Sequence, residues 1–368
     1  MQRRSGLADA GAGRSGGVPR ERARSAPTIA RSRKREGTPL KILVIGAAGM
    51  IGRKLMGRLA REGALGGRRI EAAHGVDVVA PAPLAAPFPI ASEACDIAAP
   101  YIPPKLVAGR PDVIFLLASI VSGEAEADFE KGYAINLDGT RMIFEAIRRE
   151  HVASDDAYRP RLVFTSSIAV FGAPFPEAIG DEFFTTPLTS YGTQKAVCEL
   201  LLADYSRRGF FDGIGIRLPT ISVRPGLPNK AASGFFSGII REPLAGREAV
   251  LPVTEAVLHW HASPRSAVGF LIHAATMDLG PLGARRNLTM PGVAVTVGEQ
   301  IEALRAVAGE RAVALIRRER DPVIERIVSG WPTRFDASRA RSLGFHAEDD
   351  FGQIIRAYLE DENVVAHP

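Results

Sequence analysis

Apolar runs and segments of helical periodicity alternate along the chain after residue 40. The first apolar run, Ile42–Gly46, predicts a strand covered on both faces, because such strands need not alternate apolar with polar residues. It is followed by Arg53–Arg61, in which Leu55 and Leu59 recur at helical spacing. Strands that alternate with helices are typical of an α/β fold with a doubly wound parallel sheet.

This alternation continues to Pro219. The pattern predicts further strands at Arg68–Asp77, Ser92–Ile97, Pro111–Ser119, Arg161–Ser167 and Gly213–Pro219, and helices at Ala125–Arg149 and Ser190–Arg208. The Pro-rich run Ala80–Pro89 is predicted to be a loop. We therefore expect a Rossmann domain over residues 40–220.

The pattern changes beyond Pro219. Seven prolines between residues 225 and 291 divide the chain into short helical and strand pieces. A helical run is predicted over Phe335–Glu360, with Leu343, Ile354, Ile355 and Leu359 as its buried positions. We expect residues 221–368 to form mainly a smaller α/β substrate cap, with some segments that return to the Rossmann domain.

The positive net charge is concentrated in residues 1–39. This segment carries ten Lys or Arg and three acids, with much Gly, Ser, Ala and Pro and no apolar periodicity. We predict a disordered basic extension without a function of its own; a transit peptide and a start codon placed too far upstream are the alternatives. The remaining chain has 36 basic and 38 acidic residues, so its charge does not support nucleic-acid binding.

The sequence contains neither a membrane-spanning apolar run nor a metal-binding pair of cysteines. No apolar run reaches the roughly 18 residues of a membrane-spanning helix, so no membrane association is predicted. The two cysteines, Cys95 and Cys198, lie far apart and do not form a metal-binding pair, and no metal site is predicted. Two distant cysteines suit a reducing compartment, and we expect a cytoplasmic protein.

Three glycines follow the first strand at three-residue spacing and open the first helix: Gly46, Gly49 and Gly52. This is the context of a dinucleotide-binding fingerprint, in which the glycines permit a tight turn, backbone approach to the pyrophosphate and close helix packing. The diphosphate then lies on the unpaired N–H groups of the helix. Asp77 ends the second strand, where an acid binds the ribose hydroxyls and repels a 2′-phosphate, so NAD is the predicted cofactor. The alternative for Asp77 is a surface loop acid, because it lies 31 residues after Gly46.

Three residues of the second half of the sheet suit hydride chemistry. Tyr191 and Lys195 lie four residues apart on one face of a predicted helix, and Ser167 ends a predicted strand at the edge where open α/β sheets bind ligands. A neighbouring cation lowers the pKa of a tyrosine, which can then take a proton from a substrate hydroxyl. Ser167 would donate a hydrogen bond to the same oxygen.

The chain resembles the extended short-chain dehydrogenases/reductases of the NAD-dependent epimerase/dehydratase group. The motifs that carry the resemblance are Gly-Ala-Ala-Gly-Met-Ile-Gly at 46–52, Asn136 in Asn-Leu-Asp-Gly-Thr, Thr-Ser-Ser-Ile-Ala-Val-Phe-Gly at 165–172, the Tyr191/Lys195 pair and Arg339–Phe345. The resemblance implies that Ser167, rather than Ser166, is the catalytic serine. It also implies that Asn136 supports a water relay to Lys195.

The same resemblance implies where the cofactor binds. The implied residues are Gly46, Gly49, Met50, Ile51, Gly52, Asp77, Asp96, Ile97, Leu117, Ala118, Ser119, Asn136, Tyr191, Lys195 and Pro219. Asp96 and Ile97 would touch the adenine, and Pro219 would lie beside the nicotinamide. Family members are commonly homodimers through the two long helices, here near 125–149 and 190–208.

A narrower resemblance, to the D-erythronate dehydrogenases of this group, lies in the cap at Arg217–Gly226, Ser233–Pro243 and His259–Pro264. Those enzymes oxidise the C2 hydroxyl of a four-carbon sugar acid with NAD. The substrate residues expected from it are Ser122, Ser167, Tyr191, Thr220, Arg224, Arg241 and His261. Arg224 or Arg241 would bind the carboxylate; each is equally compatible with a structural ion pair, and His261 is also compatible with core packing.

We therefore predict an NAD-dependent dehydrogenase that oxidises the C2 hydroxyl of a small sugar acid, D-erythronate to 2-oxo-tetronate. Tyr191 is the predicted base, Lys195 lowers its pKa and holds the nicotinamide ribose, and Ser167 orients the hydroxyl. The alternatives are a sugar-nucleotide epimerase or dehydratase that retains its NAD, a uronate dehydrogenase, and a cofactor-binding regulator without catalysis. The intact set of three residues argues against the regulator, because a binding-only protein does not need the phenol.

Overall fold

The computed structural model of the chain describes residues 37–226 and 232–364, so most of the predicted N-terminal extension lies outside the described residues. The strands are β1 (Leu40–Ile45), β2 (Ala64–Leu65), β3 (Arg68–Asp77), β4 (Ile90–Ala94), β5 (Val113–Leu116), β6 (Arg161–Ser167), β7 (Asp212–Leu218), β8 (Thr220–Ile221), β9 (Ala249–Leu251), β10 (Leu258–Ala262), β11 (Asn287–Thr289), β12 (Val293–Thr296) and β13 (Ile316–Arg318).

The helices lie between these strands and after the last of them. They are α1 (Met50–Glu62), α2 (Ile102–Ala108), α3 (Ser122–Ala127), α4 (Phe129–Gly132), α5 (Thr140–Ala153), α6 (Ser190–Arg207), α7 (Gly234–Leu244), α8 (Pro264–Thr276), α9 (Val297–Ala314), α10 (Pro322–Ser329), α11 (Ser338–Ser342) and α12 (Phe351–Glu362). None of them, in the part of the chain that is described, is both long and apolar enough to cross a membrane.

The central sheet has the strand order β11-β7-β6-β5-β1-β3-β4, and every neighbouring pair in this series is parallel. The two-residue strand β2 is antiparallel to the start of β3. The order reverses at β1, which pairs with both β3 and β5. Such a switch point opens a crevice at the carboxyl ends of the strands, where doubly wound proteins bind ligands. The predicted fold class is confirmed.

Alternate residues of β1 pack against helices on opposite faces of the sheet. Ile42 and Val44 belong to a core that includes Leu55 and Leu59 of α1 and Leu271 of α8. Leu43 and Ile45 belong to a second core, which includes residues of α2, α5 and α6. Both faces of the strand are therefore buried, and this explains why β1 is a continuous apolar run.

Gly46 brings the end of β1 next to the end of β5. Its φ of 96° lies in the left-handed region, and a Cβ at this position would be 2.6 Å from the backbone N of Ala118. Only glycine satisfies both conditions. The glycine turn and the residues after β5 therefore meet at the switch point of the sheet.

The cap is built on a smaller three-stranded sheet of order β12-β10-β8. Its core contains side chains of α7, α9 and α12, among them Phe236, Ile240, Ile301 and Ile355, all of which are buried. Pro219 separates β7 of the central sheet from β8 of the cap sheet, and β11 returns to pair with β7. The ends of the two sheets are thereby held together.

Two predicted helices differ from those observed. In place of a single helix at 125–149, α3 and α4 are separated by Asp128, whose side chain caps α4, and Tyr133–Gly139 forms a π-helical segment before α5. In place of a continuous helix at 335–360, α11 ends before Gly344 at a φ of 90°, and Asp350 caps the start of α12. Local side-chain capping and a left-handed glycine override the helical periodicity in both places.

Candidate active site

A cavity of about 510 Å³ lies between the carboxyl ends of the central strands and the cap. It is lined by most of the residues predicted to bind cofactor or substrate: Gly46, Gly49, Met50, Ile51, Gly52, Leu117, Ser119, Ser122, Ser167, Tyr191, Lys195, Pro219, Thr220, Arg224 and Arg241. Its volume is in the range of small-molecule and cofactor sites. The fold therefore brings the glycine turn, the helix of Tyr191 and Lys195 and the cap arginines together around one cavity.

The glycine turn fits the diphosphate of a dinucleotide. Gly49 caps the start of α1 and lines the cavity. A Cβ at this position would meet no protein atom closer than the carbonyl oxygen of Gly46, at 3.4 Å, so packing within the protein does not require a glycine here. The missing side chain instead leaves room for a bound group to approach the backbone and the helix N-terminus.

Asp77 lies directly beside this turn. One of its carboxylate oxygens accepts the backbone N–H of Ala48 at 3.0 Å, and the other accepts the N–H of Val78 at 2.7 Å. The second strand therefore ends with a carboxylate against the glycine turn, which is the place expected for the ribose-binding acid of a Rossmann protein.

Three further predicted cofactor residues, Asp96 and Ile97 at the adenine and Ala118 in the cofactor groove, lie outside the cavity, as Asp77 does. Asp96 is exposed and its carboxylate accepts the N–H of Ala98 at 2.9 Å, whereas Ile97 is buried against Gly139. Ala118 packs into the core beneath the glycine turn. Their roles in cofactor binding stay predictions.

Tyr191 and Ser167 meet in the cavity. Thr189 caps the first turn of α6, and a Cβ on Gly192 would lie 2.2 Å from the carbonyl oxygen of Ala169, so the glycine lets this helix approach the turn after Ser167. Burial raises the pKa of Tyr191, while hydrogen bonds with Ser167 and Ser119 and the charge of Arg224 oppose that rise. The phenol is thus surrounded by groups that favour its ionised form.

Lys195 is fully buried one helical turn below Tyr191. Its Nζ donates to the carbonyl oxygen of Thr165 at 2.9 Å and lies 4.9 Å from the centre of the Phe164 ring and 5.7 Å from that of Tyr191. Burial lowers the pKa of Lys195 to about 8, against the opposing effects of Cys198 and Glu199. The position suits a cation whose field acts on the phenol.

Asn136 lies behind Ser119, outside the cavity. Its side-chain oxygen accepts hydrogen bonds from the Ser119 hydroxyl and the Ile120 N–H, both at 2.9 Å, and its amide donates to Gln194 at 2.7 Å. No hydrogen bond between described residues joins Asn136 to Lys195. Asn136 therefore positions the loop after β5 in this structure, and its predicted water relay stays a prediction.

The two cap arginines have different partners. Arg241 makes an ion pair with Glu242 at 2.5 Å and donates to the carbonyl oxygen of Arg224 at 2.8 Å. Arg224 donates to the carbonyl oxygen of Ile221 at 3.0 Å and to the Ser233 hydroxyl at 3.3 Å. No described carboxylate lies within ion-pair distance of Arg224.

His261 does not line the cavity, and its predicted contact with the substrate stays a prediction. It is fully buried between Ser222, at 3.2 Å from Nδ1, and Gln300, at 3.1 Å from Nε2. His259, two residues earlier on β10, lines the cavity instead, and its Nε2 lies 2.7 Å from the Thr220 hydroxyl. Burial lowers the pKa of His259 to about 3, so this ring is neutral at physiological pH.

Sequence reasoning also missed several apolar residues of the cavity. Val121, Phe171 and Leu188 line it from the Rossmann side, and Trp331 and Pro332 line it from the segment after α10. Of these, only Phe171 lies in a recognised motif. Trp331 and Pro332 are brought to the site by tertiary packing, because they lie more than 100 residues from the nearest predicted site residue apart from those of the cap. Among the described residues, no cluster of His, Cys, Asp or Glu suits a metal ion.

The sequence of the chain matches a family model and is similar to known proteins. The sequence model of the NAD dependent epimerase/dehydratase family matches residues 42–260. A D-erythronate dehydrogenase from Cupriavidus necator is 43% identical over 326 residues, which cover 88% of this chain and 98% of the relative. A second, from Haemophilus influenzae, is 44% identical over 256 residues, which cover 70% of this chain and 79% of the relative.

Solved structures share the architecture. The nucleoside-diphosphate-sugar epimerase from Agrobacterium tumefaciens is 62% identical, with a TM-score of 0.87, and the match covers 91% of this chain and 98% of the other. The L-threonine 3-dehydrogenase from Trypanosoma brucei is 24% identical, with a TM-score of 0.76 over 88% of this chain and 97% of the other, a likeness that shows the fold alone.

Proposed function

Because this chain belongs to the NAD-dependent epimerase/dehydratase family, we propose that it oxidises the C2 hydroxyl of a small sugar acid, D-erythronate, to 2-oxo-tetronate with NAD. The names of the relatives from Cupriavidus necator and Haemophilus influenzae support this substrate. The residues of the site support the chemistry, as argued below, and NAD is the cofactor of the family.

The observation that carries the proposal is the charge of the cavity. Its lining includes three cations, Lys195, Arg224 and Arg241, and no Asp or Glu among the described residues. These cations lie in the same cavity as Tyr191 and Ser167. Since a low-dielectric site lined by one sign of charge favours ligands of the other sign, the cavity suits an anionic substrate whose hydroxyl reaches the phenol.

The chain supplies the proton transfer. Oη of Tyr191 takes the proton of the C2 hydroxyl, and Oγ of Ser167 donates a hydrogen bond to the same oxygen as its charge grows. Lys195 supplies the positive charge that favours the ionised phenol. Bound NAD would supply the acceptor for the hydride of C2. The glycine turn would hold its diphosphate, and Asp77 would hold the ribose hydroxyls.

The remaining cofactor residues and the domain limits belong to the same proposal. We assign Asp96 and Ile97 to the adenine, Leu117, Ala118 and Ser119 to the cofactor groove, and Asn136 to a water relay to Lys195. Residues 40–220 would bind NAD, and residues 221–368 would mainly bind the substrate. A structure with NAD bound tests these assignments, and an adenine that lay away from Asp96 and Ile97 would contradict them.

A sugar-nucleotide epimerase is the second candidate. The observation in its favour is the Agrobacterium tumefaciens epimerase structure, which is 62% identical to this chain. Such an enzyme uses the same proton-transfer residues, so the chemistry of Tyr191 does not separate the two functions. They differ in outcome, because a dehydrogenase releases NADH at every turnover and an epimerase does not.

Replacement of Tyr191 by Phe tests the assigned base. The change removes one oxygen, so we expect kcat on D-erythronate to fall by about 10²- to 10⁴-fold. The affinity for NAD, measured by calorimetry, should be preserved. A variant that keeps wild-type turnover would contradict the assignment, and the matched change Tyr205→Phe, near the C-terminal end of the same helix, controls for the loss of a hydroxyl.

We also propose a homodimer formed through α5 and α6. Leu200 of α6 is 69% exposed and Val152 of α5 is 55% exposed, so each of the two helices presents an aliphatic side chain to solvent that a dimer contact would cover. Sedimentation equilibrium should give twice the chain mass, and Leu200→Glu should shift it to the monomer. A wild-type chain that sediments as a monomer would contradict the proposal.

A cytoplasmic location completes the proposal. Cys95 and Cys198 are both free in the described structure, and free thiols suit a reducing compartment. Fractionation of the source cells tests this, and recovery of the protein outside the cytoplasmic fraction would contradict it.

A further inference from the structure

The two arginines of the cavity differ in whether a carboxylate of the protein pairs with them. Arg241 is buried, and the carboxylate of Glu242 neutralises it through contacts to Nε at 2.9 Å and Nη2 at 2.5 Å. Its remaining nitrogen, Nη1, donates to the carbonyl oxygen of Arg224. All three guanidinium nitrogens therefore have acceptors within the protein, and little of this charge is available to a ligand.

Arg224 is held in place without being neutralised. Its backbone N–H donates to the Ser237 hydroxyl at 3.0 Å, Nε donates to the carbonyl oxygen of Ile221 and Nη2 to the hydroxyl of Ser233. These acceptors are neutral, and no described carboxylate pairs with the guanidinium. Because arginine stays protonated in proteins, a largely buried charge of this kind lacks a counter-ion.

The neighbourhood of Arg224 favours an anion. Ser233 and Gly234 line the cavity at the start of α7, an 11-residue helix whose N-terminal end carries partial positive charge. His259, on the other side, is uncharged because burial lowers its pKa to about 3. An anion beside Arg224 would therefore meet hydroxyls, a helix N-terminus and a cation, with no opposing charge among the described lining residues.

Arg224 also lies near the reacting group. Arg224 and Tyr191 line the same cavity, and the charge of Arg224 opposes the rise that burial causes in the pKa of Tyr191. In a 2-hydroxy acid, the carboxylate is attached to the carbon that loses the hydride. A carboxylate receptor for such a substrate must therefore lie close to the base, as Arg224 does.

We propose that Arg224 is the receptor for the substrate's carboxylate and the residue that makes the enzyme specific for acids, while Arg241 only holds Arg224 in position. The inference rests on the proposed function, and it resolves which of the two arginines reads the charge. Binding would supply Arg224 with its missing counter-ion and would place the C2 hydroxyl at Tyr191 and Ser167.

Paired substrates separate charge recognition from other effects. D-erythronate and its neutral primary amide share the three hydroxyls and differ only in the charge at C1. KM and kcat with saturating NAD are measured for the wild type, Arg224→Gln, Arg224→Lys and the comparison variant Arg241→Gln. Thermal unfolding and NAD affinity show whether each variant is folded.

We expect Arg224→Gln to raise KM for D-erythronate by about 10- to 100-fold, the effect of losing a charged hydrogen-bonded contact. KM for the amide should stay within about twofold of wild type, so the preference for the acid disappears. Arg224→Lys should restore part of that preference, because a point charge remains without the fork. Arg241→Gln should change both substrates in parallel.

Two results would overturn the inference: an acid preference that survives in Arg224→Gln, or one that disappears in Arg241→Gln. Calorimetry of oxalate binding to the enzyme with NADH tests the carboxylate site independently of the proposed function. If the wild type does not oxidise D-erythronate, that function is wrong. Oxalate binding that Arg224→Gln abolishes and Arg241→Gln retains would still support the carboxylate site, whereas no binding, or binding insensitive to Arg224→Gln, would refute it.

Discussion

Burial acts in opposite directions on the ionisable side chains around the reacting atoms. It raises the pKa of Tyr191, lowers the pKa of Lys195 to about 8 and lowers the pKa of His259 to about 3. In each case the neutral form is favoured. A tyrosine base in this site therefore depends on Ser167, Ser119 and nearby positive charge to offset the desolvation of its phenolate.

The titration of Lys195 gives a prediction for the ligand-free protein. The pKa of Lys195 is about 8 in the folded chain and about 10.4 in the unfolded chain. Between these values the unfolded chain binds more protons, so the free energy of unfolding rises with pH. Relative to Lys195→Met, the wild type should gain up to about 3 kcal/mol in its free energy of unfolding across this window. Urea unfolding at a series of pH values measures it. A difference that is constant or falls with pH would show that burial does not disfavour the charged form of Lys195.

Helix α6 connects the site to the sheet at the scale of elements. Tyr191, Lys195 and Glu199 recur every four residues on it, and Glu199 is buried. The Glu199 carboxylate accepts the Ser166 hydroxyl of β6 at 2.6 Å and a two-pronged contact from Arg217 of β7, at 2.9 and 2.7 Å. The ion pair holds the helix that carries the base against β7, and the hydrogen bond from Ser166 holds it against β6, the strand that carries Ser167.

The change Glu199→Gln tests that connection. It leaves Arg217 without its main counter-charge, and we expect the free energy of unfolding to fall by about 3–5 kcal/mol, with kcat reduced more than the affinity for NAD. Glu145→Gln is the matched control, since Glu145 pairs with Arg148 and Arg149 near the surface of α5 and should cost less than about 1 kcal/mol. Equal losses in both variants, or full activity in Glu199→Gln, would contradict this role.

The elements differ in how far their sequence could predict them. The buried strands and α6 were predictable because long apolar runs and the Thr189 cap act locally. The π-helical turn around Asn136 was not, because the side chain of Asn136 contacts Ser119, Ile120 and Gln194, which are distant in sequence. Periodicity alone does not record such contacts.

At the scale of the whole molecule, the site is formed where the central sheet and the cap meet. The sheet side presents residues of recognised motifs, so Ser167, Tyr191, Lys195 and the glycine turn could be predicted. The cap side is set by how β8, β10 and the segment after α10 pack, which explains why Trp331 was missed and why His261 was predicted in place of His259. Both histidines lie on one strand and both are buried, and the second is enclosed by Ser222, Gln300 and the ring of Phe351.

We propose that the enzyme oxidises a small anionic sugar acid with NAD in this cavity. This claim is tested most directly by NADH absorbance with purified protein, NAD and a panel of four- to six-carbon sugar acids that includes D-erythronate, with UDP-glucose as the sugar nucleotide. We predict rapid NADH formation with D-erythronate and none with UDP-glucose. NADH formation only with a six-carbon uronate would contradict the proposed substrate while retaining the chemistry. No NADH with any acid, together with conversion of the sugar nucleotide, would contradict the claim itself.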